Sequence, residues 1–321
     1  MPSQAKLPDK QANSPLPEGT QLENYRILRV IAVGGFSIVY LAHDEKQTPV
    51  VIKEYLPATL ALRANGESVP RIAEADQARF LVGMKSFFEE GRSLAHLSHP
   101  NVVRVLNFFR ANETVYLVMR YERGRTLQEH IQSHRGALEE GWVRSTFAQL
   151  LNGLREVHSN KLLHLDIKPG NVYLRNDGSP LLIDFGAARQ ALSEEGMKLL
   201  PTYTPGFASP EQHLRRELLG PWSDIYSVGA TMYACFAAAA PQPANQRLEK
   251  DLLEPARRVW SGIYSADLLG IIDWCLRLDH LQRPQSVFVL QKALIGERRA
   301  ARRAAARPLL GRLRGMLRRF Q

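Results

Sequence analysis

The apolar positions of this chain change their spacing after Tyr121. From Tyr25 to Tyr40 the order Tyr-Arg-Ile-Leu-Arg-Val-Ile-Ala-Val-Gly-Gly-Phe-Ser-Ile-Val-Tyr reads as two β-branched runs joined by a glycine-containing hairpin. Val50-Val51-Ile52-Lys53 follows as a buried strand with a lysine at its end, and Thr114 to Tyr121 alternates toward another. Beyond Tyr121 the period lengthens. Leu127 to Ile131 and Val143 to His158 repeat apolar residues at spacings near three and four, which predicts helices. Two short runs, Val172–Leu174 and Leu181–Ile183, return to strand length on either side of Asn176-Asp177-Gly178, a hairpin turn sequence. The nearly uncharged stretch from Ser227 to Ala240 predicts a buried helix, because it is too short to span a bilayer and stops at Pro241.

Composition changes this picture little in the body and more at the ends. With 321 residues, 45% hydrophobic and 23% charged, the chain has room for one large domain or two lobes. The first twenty residues are rich in Pro, Ser, Gln and Lys and contain no apolar core, so they read as a disordered leader and not as a secretory signal. Cys235 and Cys275 sit in apolar helical patterns without ligand spacing, which predicts buried reduced thiols in a cytoplasmic protein. The net charge of +10 invites a nucleic-acid reading, but residues 297–321 hold nine Arg and one Glu and so carry +8 of it. The basic character belongs to the tail.

In that tail, from Pro308 onward, Leu309, Leu310, Leu313, Met316, Leu317 and Phe320 gather on one helical face, with Arg312, Arg314, Arg318 and Arg319 on the rest. Such a stripe suits the surface of an anionic membrane, on the inner face, or a groove on an acidic partner. Nucleic acid fits less well, since a phosphate tracker does not need so clean an apolar face. The competing reading is a helix that docks its stripe on the helical part of the chain.

The chemistry concentrates in His164-Leu165-Asp166-Ile167-Lys168-Pro169-Gly170-Asn171, followed by Asp184-Phe185-Gly186. Phosphoryl transfer asks a protein mainly to orient a hydroxyl, hold metal ions on phosphates and neutralise developing charge. Asp166 can accept the hydroxyl proton, Lys168 can reach a transferring phosphate, and Asn171 with Asp184 can offer hard oxygen ligands to magnesium. Pro169 and Gly170 break helix and put these groups on a loop.

In this stretch the sequence resembles the protein kinase family, in its bacterial serine/threonine branch, and the remaining parts of that family occur in order over residues 21–295. The resemblance implies an α+β fold of two lobes, a small β-rich N-lobe at about 21–121 and a larger helical C-lobe at about 125–295, with 1–20 as leader and 296–321 as tail. It implies ATP and Mg2+ as cofactors and Ser/Thr of proteins as acceptors, with autophosphorylation. At the glycine-rich loop only the middle family glycine is kept, as Gly34; Ala32 and Ser37 replace the others and Gly35 is extra. Lys53 takes the phosphate-holding position and Glu90, in Phe87-Phe88-Glu89-Glu90, its carboxylate partner, with Glu89 as competitor. The same resemblance assigns the nucleotide pocket to Val39, Val51, Met119, Tyr121 and Tyr173 beside the glycine-rich loop. Glu211 and Arg283 match a structural ion pair, Asp224 the residue that holds the catalytic loop from below, and Ser223 reads as a helix cap. The chain between Lys53 and Glu90 is longer than in a minimal kinase and begins Glu54-Tyr55-Leu56-Pro57.

One departure concerns switching. Leu165 stands where kinases controlled by loop phosphorylation carry an arginine to pair with the phosphate. Together with Ala32 and Ser37 it supports a rival reading, a pseudokinase scaffold that binds partners through the same fold. A small-molecule phosphotransferase is a third, disfavoured by Asp184-Phe185-Gly186 and Ser209-Pro210-Glu211.

Overall fold

Alternation decides the first sheet. In β3 (Ser37–His43) Ile38, Tyr40 and Ala42 are buried and the residues between them are half-buried. In the computed structural model, which describes residues 13–135, 137–185 and 204–296, β3 lies between β2 (Tyr25–Val33) and β4 (Pro49–Tyr55). The sheet continues through β6 (Thr114–Arg120) to β5 (Val105–Ala111), with the short β1 (Gln21–Leu22) at its other edge and every pairing antiparallel. Val39 pairs with Lys53 and Val51 with Met119, so these four share one face; Tyr40, Glu54 and Tyr116 fall on the other. Helix α1 (Glu74–Ala95) packs on β5 and β6 through Phe80, Phe87 and Leu94, buried at seven-residue intervals. Glu74 and Asp76 in its first turn and Arg92 in its last complement the helix dipole.

The second face of the sheet is covered by residues 13–16 and by the long connection between β4 and α1. Arg63 donates from Nη1 to Glu54 Oε1 at 2.6 Å and from Nη2 to Glu54 Oε2 at 2.8 Å, with both side chains fully buried. Tyr116 Oη donates to Oε1 and Tyr40 Oη to Oε2, each at 2.7 Å, which satisfies the carboxylate on both oxygens. Burial alone would lower the Arg63 pKa, but the Glu54 carboxylate raises it further than that. Asn13 donates to the carbonyls of Leu56 and Ala61, and Arg63 N–H donates back to Asn13 Oδ1. The leader expected up to residue 20 is therefore too long: Asn13 and Leu16 are buried, Asn13 with hydrogen-bond partners in the connection and Leu16 N–H donating to Tyr40 Oη of β3. Residues 1–12 lie outside the described ones.

The rest of the chain builds a helical unit around a small sheet of β7 (Gly124–Thr126), β8 (Val172–Arg175) and β9 (Pro180–Leu182). Helix α2 (Leu127–His134) begins with a capping box between Thr126 and Glu129. Helix α3 (Glu140–Ser159) buries Val143, Phe147, Leu150, Leu151, Leu154 and Val157, and each such residue contributes about 1.5–3 kcal/mol of burial. Helix α5 (Pro221–Ala237), buried from Ser223 to Phe236, packs on α3, and the short helices α4 (Pro210–Leu214), α6 (Ala244–Glu249) and α7 (Ala256–Val259) flank it in the chain. Gly229 of α5 faces Cys275 of α8 (Ala266–Cys275) so closely that a methyl group would collide with it. A last helix runs over 287–296. Both cysteines are buried, which pushes their thiols up. Ser223 is not the cap of α5: Pro221 presets the first turn two residues earlier, and Ser223 Oγ instead accepts from Gly220 N–H and donates to Glu211.

The described residues divide into two compact units, residues 13–123 with Phe185 and residues 124–184 with 204–296. The first is the β-rich one, the second the helical one. Among the described residues no helix is long and apolar enough to cross a membrane.

Candidate active site

The helical unit carries a loop whose backbone is held from beneath. After α3 the chain reaches Leu165 at φ 58, a left-handed conformation that costs a non-glycine residue about 1–3 kcal/mol. The fully buried Asp224 offsets this by accepting from His164 N–H at 2.9 Å and Leu165 N–H at 2.7 Å, while Gln212 Nε2 donates to the Leu165 carbonyl at 2.9 Å. His158 Nε2 completes the site 2.7 Å from Asp224 Oδ2. Burial would raise the Asp224 carboxyl, but the hydrogen bond from His158 and the nearby imidazoles hold it below the usual carboxylate range. His164 Nδ1 accepts from Asp166 N–H and Nε2 donates to the Ile183 carbonyl, so the ring is neutral; burial pushes its pKa down.

This support aims Asp166 outward. Its Oδ1 accepts from Thr204 Oγ1 at 2.8 Å, and its Oδ2 accepts from Lys168 Nζ and Asn171 Nδ2, both at 2.8 Å. Lys168 Nζ also donates to Thr204 Oγ1 at 2.7 Å. A hydroxyl thus already sits between a carboxylate that can take its proton and an ammonium that can neutralise charge on its oxygen. Pro169–Asn171 form a single 3-10 turn that swings Asn171 back under Asp166. Asn171 C=O accepts from Ile183 N–H, which brings Asp184 to the end of the β8–β9 hairpin at φ 63. Tyr173 lies half-buried on β8.

The β-rich unit carries the other predicted set on one face. Lys53 and Glu90 are 7% and 6% exposed, and Lys53 Nζ stands 5.4 Å from the centre of the Phe87 ring. Glu89 pairs with Arg92 at 2.6 Å near the surface, whereas Glu90 is buried. Val39, Val51, Met119 and Tyr121 are half-buried, whereas Ala32, Gly34 and Gly35 are exposed at the β2–β3 turn, where Gly34 N–H bonds the Ser37 carbonyl.

Below the loop of Asp166, Arg283 grips Glu211 through two bonds at 2.8 and 3.0 Å. Burial raises the Glu211 carboxyl, but Arg283 outweighs this and holds it low. Sequence reasoning missed His158, Gln212 and Arg63. His158 and Gln212 act through buried hydrogen bonds that no spacing announces; Arg63 was hidden in a connection without a matching pattern. Gly186, Thr202 and the tail fall outside the described residues.

Comparison with known proteins follows the same lines. A family model described as protein kinase domain matches residues 25–295. Among curated proteins, serine/threonine-protein kinase Nek5 of Mus musculus is 28% identical over 85% of this chain and 41% of its own length. Serine/threonine-protein kinase PrkC of Bacillus subtilis (strain 168) is 30% identical over 68% of this chain and 31% of its own. The chain therefore spans less than half the length of these relatives. A solved structure titled PpkA-294 apo form superposes with a TM-score of 0.77 at 32% identity, covering 88% of this chain and 100% of that one.

Proposed function

Since the chain belongs to the protein kinase family, in its bacterial serine/threonine branch, we propose that it transfers the γ-phosphate of ATP to serine or threonine hydroxyls of protein substrates and of its own chain. The observation that carries the proposal is the hydrogen-bonded set of Asp166, Lys168, Asn171 and Thr204 on a loop anchored by Asp224. Asp166 orients the acceptor hydroxyl and takes its proton, and Lys168 neutralises charge on the phosphate in flight. Lys53, held by Glu90, grips the phosphates of the nucleotide; Val39, Val51, Met119, Tyr121 and Tyr173 contact its base, and the turn from Ala32 to Ser37 covers its phosphates.

Asn171 and Asp184 hold magnesium. The donor set suits that ion: Asn171 spends its Nδ2 on Asp166, which leaves the amide oxygen as ligand atom. Two oxygen donors match a cation that arrives with phosphates and keeps part of its water, rather than one held in an all-protein cage. Among the described residues no cluster of three or more His, Cys, Asp or Glu forms such a cage.

Leu165 is buried and apolar, so it offers nothing to a phosphate on Thr202, and activity does not require phosphorylation there. The test of the proposal is transfer of labelled γ-phosphate from Mg-ATP to the protein and to a generic basic protein. Transfer by wild type that Asp166→Asn abolishes supports it. Silence of wild type, or equal labelling by both, favours the pseudokinase scaffold.

For the tail, 297–321, the sequence pattern supports attachment of a cytoplasmic enzyme to an anionic membrane surface. Full-length protein is expected to co-sediment with anionic vesicles, less so in high salt or with Leu313→Asp. Truncation after Arg307 that leaves sedimentation unchanged contradicts this reading.

A further inference from the structure

The end of β4 and the connection that follows it, from Leu56 to Ile72, together touch the β2–β3 turn, the strand of Lys53 and α1. Leu56 N–H donates to the Phe36 carbonyl and Ala58 N–H to the Gly35 carbonyl, both at 2.9 Å, so the glycine-poor turn is pinned from behind. Glu54, one residue after Lys53, points to the opposite face of β4 and is clamped there by Arg63. Tyr55 returns to the Lys53 face and wedges between Phe80 and Phe87 of α1, with ring centres 5.3 and 5.7 Å away. Its hydroxyl lies so near Gly83 that any side chain there would push the helix outward. Burial raises the Tyr55 pKa to about 12, so the hydroxyl stays neutral in this contact.

A buried arginine–glutamate pair gives little stability over apolar residues of the same volume, and its best-attested use is to fix one arrangement among several. Here it fixes the depth of the lysine strand relative to the turn on one side and α1 on the other. We infer that residues 54–63, locked to the segment 13–16, are a built-in brace that holds the β2–β3 turn, Lys53 and α1 in their nucleotide-binding arrangement. Glu54, Tyr55, Ala58 and Arg63 are positioning residues. The brace does within the unit what a loop phosphate cannot do where Leu165 replaces arginine, and it steadies a turn that lacks two of the family's glycines. Its link to ATP rests on the proposed kinase activity; its mechanical claim does not.

Two variants test it in the full chain. Ala58→Pro deletes one N–H at an exposed position. Glu54→Met/Arg63→Met exchanges the pair for apolar volume and leaves no unpaired charge. Backbone hydrogen exchange of the nucleotide-free protein is measured with melting temperature, then affinity for Mg-bound non-hydrolysable ATP analogue, kcat and KM. Expected for Ala58→Pro is roughly tenfold faster exchange at 34–37 with melting nearly unchanged. Expected for the double variant is similar loosening of 80–91, with kcat reduced about tenfold and analogue affinity about threefold. Exchange and affinity within a factor of two of wild type in both variants would overturn the brace. So would slower melting-independent exchange in either. If wild type transfers no phosphate, the kinase reading fails, and the exchange experiment alone still decides for or against the brace.

Discussion

Among the described residues each unit contains a buried arginine that grips a glutamate with both Nη atoms, and the two pairs differ in how far they reach. Glu211 and Arg283 are 72 residues apart and tie the base of the Asp166 loop to the end of the helical unit. Glu54 and Arg63 are nine residues apart and tie a strand to the connection that follows it. The first pair acts through Ser223 and the start of α5, next to Asp224, and so supports a loop. The second is enclosed by Tyr40, Tyr116 and the segment at Asn13, and so supports a sheet face. The same chemistry thus serves long-range closure in one unit and local stiffness in the other.

Breaking either pair on one side has the largest expected effect. Arg283→Ala and Arg63→Ala each leave a buried carboxylate unpaired and should cost about 3–5 kcal/mol, read from denaturant unfolding. The comparison sharpens if hydrogen exchange resolves where the loss falls: in the helical unit for Arg283→Ala, in the β-rich unit for Arg63→Ala. Equal loosening of both units by both variants would mean that reach does not matter.

Next in size is Asp224→Ala, which strands the N–H groups of His164 and Leu165 and should cost about 2–4 kcal/mol. It should also release Leu165 from its left-handed conformation. Turnover should then fall further than stability at a temperature where the variant is still folded.

Acid should loosen the helical unit in two steps. His164 binds its proton more weakly folded than unfolded, so the unfolded state gains protons first, and stability falls as pH drops below about 6.5. Asp224 and Glu211 have depressed folded pKa values, so their contribution is present above the unfolded values, near 4, and is lost as pH falls through that range toward the folded ones. Melting temperature recorded from pH 8 to pH 3 checks both signs; a rise on acidification below pH 6.5 contradicts the assignment of His164 as a buried neutral ring. The smallest effect is expected from Ser223→Ala, about 1 kcal/mol, because Arg283 still satisfies Glu211.

The two pairs also mark what the sequence could tell. Glu211–Arg283 was legible because Ser209-Pro210-Glu211 and Gln282-Arg283-Pro284 are short motifs in fixed order. Glu54–Arg63 was not, since a lone arginine in a polar connection has no period and no motif, and its burial depends on Tyr40, Tyr116 and Asn13 converging from elsewhere. The strands from Tyr25 to Lys53 and the helix at Val143 followed from apolar spacing, and the helix at Ser227 from a nearly uncharged run, though it ends at Ala237 and not at Ala240. Strand β5 was missed because Asn107 and Arg110 interrupt its alternation. Among the candidate site residues, Asp166, Lys168 and Asn171 were readable together because one loop carries them all. Thr204 joins them only through a contact across 38 residues.

The central claim is that Asp166 does chemistry while Lys53 grips phosphates, and one paired measurement tests it. Turnover and nucleotide affinity are determined side by side for wild type, Asp166→Asn and Lys53→Met. Both variants should lose roughly two orders of magnitude in turnover, while only Lys53→Met should bind the nucleotide more weakly. Full turnover in Asp166→Asn, or weakened binding in that variant with none in Lys53→Met, would contradict the account.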